Sequence, residues 1–160
     1  MALFNITVNE VINQAPISVG NNSLNISFQD YTFTLNNFTE TTPAYTDPEN
    51  DAVESVKILS LPAEGVLKLG INNVQINDII GVNLINAGGL MYDVNQANDT
   101  GYSVNFSFTL SDVGSHTFSL STGVMTLNVD AKANLAPTIG DGTASTTINE
   151  TLVFTRAMFT

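Results

Sequence analysis

Three acidic side chains crowded into one turn are the residues of this sequence best suited to chemistry. Asp47, Glu49 and Asp51 alternate within Tyr-Thr-Asp-Pro-Glu-Asn-Asp at 45–51, and Pro48 fixes the backbone so that the neighbouring carboxylates are presented. Ca²⁺ binds roughly six to eight oxygen ligands, and alternating carboxylates on a loop can supply two or three of them. The turn is therefore either a solvated turn or a calcium site.

A complete calcium site would need further oxygen ligands from other parts of the chain. Asp112 and Asp130 are the carboxylates that we consider for this role. The spacing of the turn does not match the EF-hand loop, which needs Gly at its sixth position and Glu at its twelfth. Calcium would accordingly be an optional ligand of this protein and not a required cofactor.

The sequence contains no recognisable catalytic centre. Its single histidine, His116, stands in a Ser-His-Thr stretch at the end of a predicted strand, and there is no cysteine. Phosphate-binding glycine loops and serine-nucleophile elbows do not occur, and Gly88-Gly89 lacks the following helix start that phosphate binding requires. The acidic residues could supply a carboxylate pair for glycoside hydrolysis, but nothing brings two of them to a common cleft. We expect a protein that is not an enzyme.

Composition narrows the class of protein further. Fifteen acidic residues against four basic ones leave a formal net charge of −11, which disfavours binding to nucleic acid. Charged residues make up only 12% of the chain, so its polar surface must be built from Asn, Ser and Thr, which favour turns and the exposed faces of strands. No apolar run approaches the roughly 18 to 20 residues that cross a bilayer. Composition indicates an all-β chain without membrane insertion.

Strands are predicted wherever apolar and polar residues alternate, because successive side chains of a strand point to opposite faces. Gln29-Asp30 predicts a tight turn between two such runs, which we expect to form a hairpin or adjacent strands. Pro62 and Gly65 predict a second hairpin, and a short helical turn is expected around Leu84. The predicted strands cover residues 4–9, 24–28, 31–35, 56–61, 66–69, 90–92, 104–110 and 125–129.

The run at 104–110 shows the strongest alternation in the chain. Phe106, Phe108 and Leu110 should face the core, with Ser107 and Thr109 pointing outward. Their expected inward partners are Ile58 or Leu59 and Leu127.

The two ends of the chain resemble each other, which predicts a tandem repeat. Residues 4–39 align with residues 125–160 without a gap, at a constant offset of 121 residues. On this basis residues 1–13 form a strand that ends a preceding unit or serves as an assembly arm. Residues 14–133 form one complete unit, and residues 134–160 form a linker and the first strands of another. The identical pairs are Val8/Val129, Asn13/Asn134, Ala15/Ala136, Pro16/Pro137, Phe33/Phe154, Thr34/Thr155, Phe38/Phe159 and Thr39/Thr160.

Several motifs together resemble a known group of repeats. They are Asn-Leu-Ala-Pro at 134–137 with its copy Asn-Gln-Ala-Pro at 13–16, the acidic turn at 45–51, Lys-Ile-Leu-Ser-Leu-Pro-Ala-Glu-Gly at 57–65, and Phe-Ser-Phe-Thr-Leu-Ser-Asp at 106–112. The chain is similar to the cadherin-like, immunoglobulin-like tandem repeats of large bacterial surface proteins and of some bacteriophage virion proteins. The resemblance implies an all-β, immunoglobulin-like antiparallel β-sandwich with a spacer or adhesive role.

Calcium often rigidifies the junction between cadherin-like units, and the resemblance carries this property only to Asp47, Glu49 and Asp51. The sequence departs from true cadherins because it lacks their paired Asp-x-Asp run. Calcium at these three residues is an expectation for the structure to examine.

Two functional classes follow, and secretion separates them. The N-terminal segment has no basic region and no apolar run of signal length, which favours a structural protein of a bacteriophage virion, such as a head decoration, auxiliary capsid or fibre protein at the virion surface. The alternative is an adhesive or spacer repeat on a bacterial cell surface. Expected partners are other virion proteins or copies of itself, and a host-surface glycan or protein.

A third class, a carbohydrate-binding module, would need exposed aromatic side chains. The chain has no Trp, so Tyr45, Tyr92 and Tyr102 are the candidates. Positions in the core or at a sandwich edge are the alternative for all three.

Both ends of the chain carry apolar residues that need cover if each end belongs to an incomplete unit. Unpaired strands are templates for pairing with another chain, so we expect these residues to take part in assembly. They are Phe4, Ile6 and Val8 at one end, and Leu152, Phe154 and Phe159 at the other.

Overall fold

The computed structural model describes residues 6–7, 12–134 and 145–155. Over these residues the regular secondary structure is mostly β-strand, with two short helices. The elements in chain order are β1 (Asn22–Ile26), β2 (Tyr31–Thr32), α1 (Asn36–Thr39), β3 (Val53–Ile58), β4 (Val66–Leu69), β5 (Asn72–Asn73), β6 (Ile79–Gly81), α2 (Val82–Asn86), β7 (Leu90–Asp93), β8 (Tyr102–Asp112) and β9 (Gly123–Val129).

The strands form two sheets, which is consistent with the predicted all-β sandwich. One sheet has five strands in the order β1-β9-β8-β3-β6, and the other has four in the order β2-β7-β4-β5. The prediction of an antiparallel arrangement is wrong at one place, because β1 pairs with β9 in parallel, from Asn22 beside Met125 to Ile26 beside Val129. Parallel neighbours need a long connection between them. Residues 27–122 supply it, because they separate β1 from β9.

Both predicted hairpins are wrong, although the chain does turn at both places. The strand before Gln29-Asp30 belongs to the five-stranded sheet and the strand after it to the four-stranded sheet. The same change of sheet occurs between β3 and β4, around Pro62 and Gly65. Turn residues bend the chain without deciding whether the next strand pairs with the last one or crosses to the facing sheet. The helical turn expected around Leu84 is confirmed by α2.

The long strand β8 supplies the centre of the core, as its alternation predicts. Phe106, Phe108 and Leu110 are fully buried. The buried partners Ile58 and Leu127 lie on the neighbouring strands β3 and β9.

Thr109 faces away from that core and is nevertheless buried. The loop that follows β8 folds back over the outer surface of the sheet. The Thr109 hydroxyl donates to the carbonyl oxygens of Ser119 at 2.9 Å and Ser121 at 3.0 Å. Alternation predicted the face of Thr109 correctly, but it could not predict that a loop covers it.

Aromatic rings connect the two sheets. Phe33, which follows β2, packs edge-on against Phe106 with ring centroids 5.7 Å apart. Phe38, in α1, packs edge-on against Phe108 at 5.1 Å. Edge-to-face pairs of this kind stabilise the fold by more than the burial of their apolar area alone. A Cβ atom at Gly123 would lie 2.6 Å from the Phe108 ring, so the glycine makes room for it.

We predict that Phe108→Ala lowers the free energy of unfolding by about 3 to 5 kcal/mol, because it leaves a cavity beside Phe38. Thr126→Ala, on the outer face of the neighbouring strand, is the matched control and should change it by less than about 0.5 kcal/mol. Urea denaturation measures both. A loss below about 1 kcal/mol for Phe108→Ala would contradict its place in the core.

Candidate functional site

The acidic turn is closed from inside by its first carboxylate. Asp47 is only 8% exposed, and its Oδ1 accepts hydrogen bonds from the backbone N–H groups of Glu49 and Asp51, both at 2.9 Å. Asn50 has a left-handed backbone with φ of 63°, a conformation that Asn tolerates better than most residues. Asp47 therefore holds the shape of the turn immediately before β3 begins.

The other two carboxylates of the turn bind the segment that enters the sandwich. Glu49 accepts from the backbone N–H of Gln14 at 3.2 Å and from its side-chain amide at 3.4 Å. The Asp51 carboxylate accepts from the side-chain amide of Asn13. Residues 13–14 belong to one of the Asn-x-Ala-Pro motifs, so the structure joins that motif to the acidic turn.

Tyr45 places a hydroxyl beside these charges. It donates to the backbone carbonyl of Asp51 at 3.0 Å. Burial raises the pKa of Tyr45 to about 12, with further contributions from the negative charges of Asp47, Asp112 and Asp51. Three carboxylates therefore act on one hydroxyl, which is kept in its neutral form.

Three buried oxygen atoms around the turn have no hydrogen-bond partner within the described residues: Asp47 Oδ2, Asn13 Oδ1 and Ser18 Oγ. Buried polar atoms are normally paired with protein or with ordered water. Ser18 belongs to the same neighbourhood, because its backbone carbonyl accepts from Thr46 N–H at 3.3 Å. These atoms are available to accept a hydrogen bond or to bind a cation.

The carboxylates of the turn do not converge on one point. Within the ranges that the structure describes, no group of three or more His, Cys, Asp or Glu side chains could hold a metal ion. Asp47 points inward, while Glu49 and Asp51 bind Gln14 and Asn13. Any cation here would need further oxygen ligands beside these carboxylates, and calcium at the turn stays a prediction.

The two more distant carboxylates lie at different ends of the sheet. Asp112 is fully buried and accepts from the backbone N–H and the hydroxyl of Ser115. Burial alone would raise the pKa of Asp112, but hydrogen bonds from Ser115 and from backbone N–H groups outweigh it and lower that pKa. Asp130 follows Val129, which pairs with Tyr102 at the opposite end of β8. Of the two, the structure brings only Asp112 near the turn.

His116 forms a surface hydrogen bond with Glu54, which becomes an ion pair when the imidazole is protonated. Its Nδ1 lies 2.8 Å from Oε2 of Glu54, and both side chains are well exposed. The hydrogen bond and the negative charge of Glu54 raise the pKa of His116. Exposed pairs of this kind contribute little to stability.

The three tyrosines considered for sugar binding do not form an exposed aromatic surface. Tyr92 is fully buried, and its hydroxyl donates to the backbone carbonyl of Glu64 at 2.8 Å. Tyr45 and Tyr102 are partly buried and pack against the core. The core alternative therefore holds for Tyr92.

Of the six residues predicted to take part in assembly, three fall within the described ranges. Ile6 is 76% exposed and Phe154 is 63% exposed, whereas Leu152 is half-buried. Phe4, Val8 and Phe159 lie outside the described residues, as does most of the predicted strand at 4–9. Their role in assembly stays a prediction.

Sequence reasoning missed Asn13 and Ser18 as members of the site. The identity of Asn13 with Asn134 in the repeat alignment was a signal that could have found the first of them. Ser18 carries no such signal, because only the fold brings it beside Thr46.

Comparison with protein-family models, with curated proteins and with solved structures gave no significant match. Neither of the two helices in the described part of the chain is long and apolar enough to cross a membrane.

We predict that calcium raises the melting temperature and that a chelator reverses the effect, because a ligand that binds only the folded state stabilises it by mass action. Asp47→Asn keeps the hydrogen-bond acceptor of the turn but removes its charge, so it should reduce the shift. Glu54→Gln, at the separate ion pair with His116, should leave the shift intact. Identical melting temperatures in calcium and in chelator would contradict a calcium site.

We predict that Tyr45→Phe flattens the loss of stability at alkaline pH. The pKa of Tyr45 is raised from 10.0 to about 12 in the folded protein. The stability that comes from this raised pKa is therefore complete below pH 10.0 and is lost as the pH rises from 10.0 to about 12. Urea denaturation at several pH values across the window measures the slope. Equal slopes for the wild type and the variant would show that Tyr45 titrates normally.

Proposed function

We propose that this chain is a non-enzymatic structural protein of a bacteriophage virion, in which immunoglobulin-like, cadherin-like domains serve assembly and surface display. The role would be that of a head decoration, auxiliary capsid or fibre protein, with copies of itself or other virion proteins as partners. The observation that carries this proposal is an apolar segment after the sandwich that matches a core segment within it.

That match joins Phe154 to Phe33 through the alignment of the chain ends. Phe33 is fully buried and packs against Tyr31, Phe38 and Phe106. Phe154 is 63% exposed. A residue type that fills the core of one unit is thus largely exposed in the segment that would begin the next unit, which favours cover by another chain.

The sheet arrangement supports the immunoglobulin-like type. The first strand of the five-stranded sheet runs beside its last strand, β1 beside β9. The chain then enters the sandwich at one end and leaves it at the other. Units with this geometry can be joined end to end, as a fibre or a surface array requires.

One observation favours the alternative function, an adhesive or spacer repeat of a large bacterial surface protein that is rigidified by calcium. The acidic turn binds the entering residues Asn13 and Gln14, and the buried Asp47 Oδ2 has no partner among the described residues. A cation placed there would stiffen the entrance of the unit. A spacer or adhesive repeat needs such a stiff entrance.

We predict that the chain self-associates at high concentration through the segment at 145–155. Sedimentation velocity should show larger species whose fraction falls in Phe154→Ser, because the substitution removes an exposed apolar ring. Ile71→Ser, at a 94% exposed position of the sandwich, is the matched control and should not change the distribution. Hydrogen exchange should show protection of the segment only in the larger species. A monomer at every concentration, with this segment exchanging like a random coil, would contradict assembly.

The genomic neighbourhood separates the two functions. Capsid and portal genes beside the coding gene would support the virion protein. A secretion system or a surface-sorting domain encoded there would support the adhesive repeat and contradict the virion role.

A further inference from the structure

The outer surface of the five-stranded sheet carries a flat patch of uncharged polar side chains, which we call the polar face. It is built from three tripeptides of the form Ser/Thr-x-Asn, one on each of β1, β8 and β9. Strand register aligns them, so that their outward side chains form one surface. The members of the polar face are Ser23, Asn25, Ser103, Asn105, Thr126 and Asn128.

Asn128 forms hydrogen bonds with three other members of the polar face. Its Oδ1 accepts from the Ser103 hydroxyl at 2.9 Å. Its side-chain amide donates to Ser23 Oγ and to Asn25 Oδ1, both at 3.1 Å. These hydrogen bonds fix the side-chain rotamers in the unbound protein, which reduces the side-chain entropy that is lost on binding.

Two members of the polar face have side-chain hydrogen-bonding groups that a ligand could use. Asn105 is exposed and Thr126 half-buried, and the side chains of both form no hydrogen bond with any described residue. An Asn side chain can donate two hydrogen bonds and accept two, and a Thr hydroxyl both donates and accepts. The polar face therefore offers donors and acceptors together.

The extent of the polar face is limited by the loop after β8. That loop covers the other half of the same sheet surface, where it buries Thr109 and the hydroxyl pair of Ser55 and Ser111. With strands about 4.8 Å apart and a rise of about 3.4 Å per residue, six side chains in two rows cover roughly 200 Å². A stable protein partner needs about 800 Å² on each side. The open area fits a small or narrow ligand better than a protein.

Charge narrows the chemistry of the ligand. Strands β1 and β9 contain no charged residue, and in β8 only Asp112 is charged, at the covered end. The rest of the chain is strongly acidic, with a net charge of −11, and would repel an anionic polymer. A neutral ligand rich in hydroxyl groups matches a surface of amides and hydroxyls.

The polar face continues into a cleft at the end of the sheet where β9 stops. Ser27 and Asp130 follow Asn25 and Asn128 by two residues, and both line this cleft of about 490 Å³. The half-buried ring of Phe28 also lines it, with Lys132 Nζ 6.0 Å from the ring centroid. A chain-like ligand lying along the strands would extend from the polar face into this cleft.

We infer that the polar face binds a neutral polysaccharide. The inference rests on the surface-display role proposed above and names the partner class that the displayed surface would meet. Asn105 and Thr126 would contact the sugar hydroxyls. Asn128 would hold the neighbouring side chains in place and would not itself contact the sugar.

Affinity electrophoresis tests this inference on the intact chain. Native gels would contain dextran, laminarin, galactomannan or hydroxyethyl cellulose as neutral polymers, with alginate as the anionic comparison. We expect at least one neutral gel, and not alginate, to retard the protein. Asn105→Ala and Thr126→Ala should each weaken binding about fivefold, the loss expected from one neutral hydrogen bond. Asn72→Ala, an exposed asparagine on β5 in the other sheet, is the matched control and should bind like the wild type.

The possible results separate this inference from the proposed assembly role. Normal migration in all four neutral gels would overturn it, as would equal retardation by alginate or full binding by both polar-face variants. Self-association that depends on Asn105 in sedimentation velocity would assign the face to a second copy and also overturn it. Binding is measured on the isolated chain, so a failure here leaves association through the segment at 145–155 untouched.

Discussion

The contact between phenylalanine rings from the two sheets is the interaction on which the rest of this structure depends. Phe106 and Phe108 come from β8, and they meet Phe33 and Phe38 from the opposite layer. These rings replace the disulfides that often staple small β-domains, since the chain has no cysteine. Because the interior is filled in this way, the outer surfaces are free to carry turns, loops and polar ladders with separate roles.

The alternation of apolar and polar residues made the central strands predictable. Alternation assigns Phe106, Phe108 and Leu110 to the core, where they lie, because a strand with one buried face has a strict period of two. Sheet membership was not predictable in the same way. The turns near Gln29 and Pro62 each carry the chain to the facing sheet, and that choice depends on packing between distant segments.

The acidic turn shows the same limit at the level of a site. The composition of 45–51 predicts a local concentration of negative charge, and the charges of Asp47 and Asp51 do act on Tyr45. Their directions could not be predicted, because Asp47 turns inward to satisfy backbone N–H groups while Asp51 reaches Asn13. Hydrogen bonding to a nearby backbone competes with metal binding for the same oxygen atoms, and sequence alone does not decide that competition.

The parallel pairing of β1 with β9 has a mechanical consequence. The chain enters β1 at one end of the sandwich and leaves β9 at the other, so tension between the two ends pulls these neighbouring strands in opposite directions along their own axes. All five residue pairs from Asn22/Met125 to Ile26/Val129 then share the load in shear, and they must break together instead of unzipping one at a time. The pairing of β1 with β9 should therefore resist tension applied between these two strands.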